Sequence, residues 1–153
     1  MDYYSYINGR AQVDLDKLLS MPINEEKMNE IIDSYDNFYD SFPVHKSELI
    51  LVQIASDWSD IFENEVDAYD IVKDLRNGFM ATEADEVKAY HIDEILKEFV
   101  SAYANVLIDL IVEREGSEWD DFEQLRLVKD GGEARLEYCQ AEVTVSYNNW
   151  KVA

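Results

Sequence analysis

Two histidines, one cysteine and a large surplus of carboxylates are the side chains here that could carry chemistry. His45 and His91 are too far apart for the HxxxH or HExxH spacing that sets two imidazoles on one helical face around a metal. His91 lies in the run Ala89-Tyr-His-Ile-Asp-Glu94, where Glu94 at i+3 is the carboxylate that meets it on a helix. Cys139 stands alone, so thiolate zinc sites and an intramolecular disulfide are excluded. Its place beside Tyr138 in an alternating run points to buried packing. Between Asp57 and Asp67 acids are frequent, but Phe62 stands where a calcium-binding loop needs glycine. No P-loop, GxSxG, GxGxxG or CxxC occurs. The expectation is therefore a chain with no catalytic residue, no metal and no cofactor. A small enzyme resting on His91 and scattered carboxylates is one alternative.

One set of acids is organised. Asp57, Asp60, Glu63, Asp67, Asp70 and Asp74 recur at steps of three and four. On a single helix they would stay within a band of about 140° and run about 25 Å. Neighbouring like charges destabilise a helix by a few tenths of a kcal/mol per pair. Such a stripe either stays solvated or docks on a basic groove, and these six residues are the candidate partner-binding site. Steering by a surface of this kind raises association rates roughly 10- to 1,000-fold at low salt.

The stripe belongs to a wider imbalance. The 153 residues carry 34 acidic and 13 basic side chains, a net charge of −21. Residues 47–118 hold 18 of the acids and 5 of the bases. Direct nucleic-acid binding, which needs clustered Lys and Arg, is disfavoured, and so is docking on an anionic membrane. No secretory signal and no stretch of roughly 18–20 apolar residues is visible, so a cytoplasmic protein is expected. Charge of this size also opposes self-association through the acidic face.

The elements that must position these residues follow from periodicity. Tyr4 and Tyr6 alternate with polar residues before Asn8-Gly9, which suits a hairpin turn returning through Ala11 to Leu15. Asp14 and Asp16 also suit a short helical turn ending before Pro22. Asn24 is a helix cap, and Met28, Ile31, Ile32, Tyr35, Phe38, Tyr39 and Phe42 form one helical face that Pro43 ends. Leu49 to Phe62 repeats the helical spacing, which continues to Leu75 before Asn77-Gly78, as one helix or as two broken near Asn64. Thr82, with Asp85 three residues on, opens a third helical region carrying Ile92, Ile95, Phe99, Ala102, Tyr103, Val106 and Leu110 as far as Gly116. Beyond it, Leu125 and Leu127, then Ala134, Leu136 and Tyr138, then Val143, Val145 and Tyr147 alternate, with Asp130-Gly131-Gly132 as a turn. The expected fold is α+β, one domain over residues 1–153. Its N-terminal and central amphipathic helices pack on a C-terminal three-stranded antiparallel meander.

Residues 94–138 add a resemblance. The segment EILKEFVSAYANVLIDLIVEREGSEW followed by LRLVKDGGEARLEY combines an acidic amphipathic helix, a Trp after a short glycine-containing turn, and a hairpin with Gly at its tip. In this it resembles bacterial polymorphic-toxin immunity proteins of the YezG type. The resemblance implies a protein that binds and neutralises a toxic partner, and it carries no catalytic residues with it. Composition and resemblance together lead to the expectation of a small acidic inhibitor of a basic, nucleic-acid-active protein, as an immunity protein or antitoxin. The alternative is a phage-type anti-restriction or anti-CRISPR protein that mimics DNA.

Overall fold

Residues from Ser5 to Val13 alternate strictly between buried and half-buried or exposed, which makes this segment a strand, β1. Asn8-Gly9 is therefore not a turn. Gly9 is required for space: a Cβ there would lie 2.8 Å from Phe62 and 3.0 Å from Trp58 of the helical layer. Asp14 then caps a single turn, α1 (Leu15–Leu19), accepting from the Lys17 amide. Asn24 caps α2 (Glu25–Ser34) in the same way through Lys27.

The expected long helix to Phe42 is interrupted. Tyr35 is extended, Asn37 adopts φ 54°, and a short α3 (Phe38–Ser41) follows. Asn reaches the left-handed region cheaply. The bend folds Tyr35, Phe38 and Phe42 together, with the Tyr35 and Phe42 ring centroids 4.8 Å apart. A 3₁₀ turn (Lys46–Glu48) leads into α4 (Leu49–Ile61), which is buried on nearly all sides. Glu63 and Asn64, both left-handed, end it, and α5 (Ala68–Leu75) starts afresh on an Asp67 cap. The central helical region is therefore two helices.

The largest departure lies between Phe79 and Gly116. Thr82 does not open a helix. Phe79–Val87 is a strand, β2, in which Met80, Thr82, Ala84 and Val87 are buried. Its buried row is small and partly polar, so no hydrophobic alternation announces it. Thr82 Oγ1 accepts from Trp58 Nε1 at 2.9 Å, which satisfies the largest fully buried side chain. Helix α6 (Ile92–Tyr103) is shorter than expected, and Leu107–Gly116 forms strand β3. Val106 and Leu110 imitate helical spacing there because a register irregularity at Leu107 disturbs the strict alternation. Strands β4 (Phe122–Asp130) and β5 (Glu133–Gln140) make the expected hairpin around Gly131 and Gly132, both at positive φ.

All strands pair antiparallel in one sheet ordered β2-β1-β3-β4-β5. The fold is α+β, but its sheet has five strands rather than the C-terminal three, because β1, β2 and β3 come from segments read as a hairpin and a helix. This computed structural model describes residues 3–142 and 146–153. Of the expected last strand, Val143 and Val145 lie outside the described residues, and Tyr147 belongs to no strand.

The core lies between the helices and one face of the sheet. Trp58 packs on Phe62 and Phe99, with centroids 5.5 and 5.4 Å away, and Phe99 on Tyr103 at 4.9 Å. Ile7, Ala11, Val13, Leu110, Val112 and Leu125 face this layer from the sheet. Burying such side chains stabilises by roughly 1.5–3 kcal/mol each. Among the described residues, no buried side-chain nitrogen or oxygen lacks a partner, and no helix is long and apolar enough to cross a membrane. Among the described residues the other face of the sheet is left half-buried to exposed, with Tyr6, Asn8, Arg10 and Gln12 of β1 alternating with the buried row.

Candidate partner-binding site

The six stripe acids fall on three elements, since the helix that would align them ends at Ile61. Asp57, on α4, is turned inward. Its carboxylate pairs with Lys27 of α2 and accepts from the Tyr103 hydroxyl of α6. Gln53 extends the network, accepting from the Asn24 amide at 2.7 Å and donating to Tyr103 at 3.3 Å. Burial pushes the Tyr103 hydroxyl up to about 12. Asp60 lines a cavity of about 220 Å³ with Lys27, Asp57, Glu98 and Tyr103. Desolvation raises its pKa, and the nearby Lys27 charge pulls the other way.

The remaining four leave α4. Glu63 sits in the turn and accepts from the Ala89 amide at 3.2 Å. Asp67 caps α5 through the Tyr69 amide at 2.9 Å. Asp70 lies 3.8 Å from Lys73, and Asp74 is half-buried on the same helix. Of the six, Asp57 ties helices together, Glu63 ties the turn to the segment before α6, and Asp67 caps its own helix.

The other candidates are peripheral. His91 meets Glu94 at 3.7 Å, both well exposed, and His45 is exposed beside Glu48. Cys139 is exposed rather than buried. It alternates onto the uncovered face because its neighbour Tyr138, paired with Leu125, takes the helix-side position. Among the described residues, no group of three or more His, Cys, Asp or Glu is placed to hold a metal.

The uncovered sheet face carries a more organised arrangement. Register sets Tyr6 of β1 opposite Glu115 of β3, and Glu115 opposite Phe122 of β4. Two residues away, Asn8, Glu113 and Gln124 make a parallel row. These six line a cavity of about 360 Å³. From β2, Glu83 accepts from the Tyr6 hydroxyl at 2.5 Å. That hydrogen bond, with desolvation and the charges of Glu83, Asp85 and Glu115, pushes Tyr6 up to about 12. Arg114, between the two glutamates in sequence, points the other way. It is held by Asp121 at 2.8 and 3.0 Å and by Glu123 at 3.4 Å, and this pairing with the Tyr3 hydroxyl lowers Asp121 to about 2. Among the described residues, Glu113, Glu115 and Asp85 have no ion pair.

The far end of the same face differs. Arg126 and Arg135 are both held by Glu137, at 3.0 Å each. A second cavity of about 400 Å³ there is lined by groups of both signs, including Arg10 and Asp109, with Phe79 and Ile111. Asp85, Glu113 and Glu115 are thus gathered at one end of the face. Trp119, 65% exposed, lies at that end in the turn from Gly116 to Phe122.

Sequence reasoning missed this site because it read 107–116 as helix. Read as a strand, Glu113 and Glu115 at i, i+2 fall on one face with Ile111, and the β-branched Ile111-Val112 pair is the signal for that. No family model, curated protein or solved structure matches the chain.

Proposed function

We propose that this chain is a cytoplasmic acidic inhibitor that binds and neutralises a basic, nucleic-acid-active protein, in the manner of an immunity protein or antitoxin. The observation that carries it is the uncovered sheet face, with Glu83, Asp85, Glu113 and Glu115 around Tyr6 and Phe122 and, among the described residues, no ion pair on any of the four. Charge there attracts a cationic surface, and Tyr6, Phe122 and exposed Trp119 supply the aromatic anchors that dominate interface energetics. The net charge of −21 speeds the encounter. The YezG-type resemblance of residues 94–138, which span α6, β3 and the β4–β5 hairpin, points to the same role.

The test compares wild type with a Glu83→Lys, Glu113→Lys, Glu115→Lys variant in quantitative affinity capture from the native host. A basic protein should be enriched by wild type and lost with the variant, and its action on nucleic acid should be suppressed by added wild-type chain. Equal capture by both, or capture without suppression, overturns the reading. Capture abolished by duplex DNA with a steep salt dependence assigns DNA mimicry instead.

A further inference from the structure

We propose that the cleft formed by Tyr6, Glu115 and Phe122 receives an arginine side chain of the partner protein, with Glu113 as its second acceptor. This rests on the partner being basic, and it adds which cation is read and where.

The register supplies the geometry. Tyr6 and Phe122 are each directly opposite Glu115, on the two strands that flank it. Neighbouring strands lie about 4.8 Å apart, so Glu115 projects from the strand between the two that carry the aromatic rings. Glu113 projects from the same face about 6.7 Å along β3, and Gln124 Nε2 donates to one of its carboxylate oxygens at 3.5 Å, leaving the other for the ligand. The cavity of about 360 Å³ has room for a side chain rather than a mere surface contact.

Chemistry selects the guanidinium. A planar cation stacks on aromatic rings while its edge donates to a carboxylate, two contacts that a compact, strongly hydrated ammonium does not combine. Glu113 and Glu115 offer several acceptor lone pairs to a donor with five N–H groups. The Tyr6 hydroxyl is already committed to Glu83, which leaves its ring for the ligand. Arg114 cannot fill the cleft from within, since Asp121, Glu123 and Ser5 hold it on the opposite face.

The experiment titrates the full chain with hexa-arginine and hexa-lysine peptides at about 0.15 M ionic strength, by calorimetry and amide chemical shifts. Hexa-arginine should bind about 5-fold tighter or more, in line with a cation–π contribution of about 1 kcal/mol or more. Its shifts should centre on Tyr6, Glu115 and Phe122. Phe122→Ala should erase the preference while leaving residual affinity for both peptides. Phe122→Leu, which keeps the apolar bulk, should do the same if the ring face is what matters. Glu115→Gln should weaken hexa-arginine about 10-fold. Equal affinity for the two peptides, or shifts centred on α4 and α5, overturns the arginine assignment but leaves a basic partner standing. Absence of binding by either peptide overturns both.

Discussion

Asp57 on α4 and Glu115 on β3 both belong to the acid-rich middle of the chain, yet their surroundings have little in common. Asp57 is met by a lysine from one helix and a tyrosine hydroxyl from another, so its charge is spent holding three helices in place. Glu115 stands on the uncovered face, on the strand between the two that carry the aromatic rings, with other carboxylates nearby and no ion pair among the described residues. A carboxylate answered from within the fold is a structural tie. One left unanswered, beside aromatic side chains and a cavity, is free to answer something else. Net charge alone does not separate the two, because it counts both as −1.

The contrast extends to the two faces of the sheet, and adjacent residues of β1 give the sharpest way to break it. Ile7 is fully buried against the helices, while Tyr6 faces the open side. Ile7→Ala should destabilise by about 2–5 kcal/mol in urea unfolding. Tyr6→Ala should change stability by about 0.5 kcal/mol or less, as surface changes usually do, while abolishing partner capture. Comparable losses of stability at both positions would mean that the open face is covered in the folded protein.

A smaller effect separates the two carboxylates themselves. Asp57→Ala leaves the nearly inaccessible Tyr103 hydroxyl without its acceptor and Lys27 without its partner. The expected loss is about 1–3 kcal/mol. Glu115→Ala removes one charge from a repulsive group and should leave unfolding unchanged within about 0.5 kcal/mol. If the two variants unfold alike, the division into structural and available acid fails.

What the sequence discloses follows the same division. The helix cap at Asn24, the stop before Gly78 and the Gly131-Gly132 turn are local devices, and local devices are legible in a window of a few residues. The class, α+β, follows from the clearest periodic segments. Strand β1 was hidden because Gly9 is there to admit Trp58 and Phe62, a tertiary reason that imitates turn chemistry. Strand β2 was hidden because its buried row includes Thr82, which is buried for the Trp58 hydrogen bond. The aromatic–carboxylate cleft needs the register of β1, β3 and β4 at once, so it could not emerge while two of those strands were misread. The six-acid stripe went the other way. Its spacing is helical, but the left-handed pair Glu63-Asn64 divides it.

Asp60 tests whether that division is complete, since it lines the cavity beside Lys27 and, among the described residues, no hydrogen bond or ion pair engages its carboxylate. Burial raises its pKa above the ordinary 3.8, and Lys27 only partly opposes this. As pH rises, the unfolded chain gives up this proton before the folded chain does, so folding thereafter requires a partly desolvated charge. The contribution of this group to stability is therefore fullest below pH 3.8 and is lost as pH rises through the folded value. Asn is neutral throughout. Asp60→Asn should accordingly melt higher than wild type at pH 7, with the gap closing as the pH falls below about 3.8. A variant that melts lower at pH 7 would show that Lys27 makes Asp60 a tie like Asp57. A variant that melts higher identifies an acid held at the edge of the helical layer against the interest of the fold. That would make Asp60 a companion to Glu113 and Glu115.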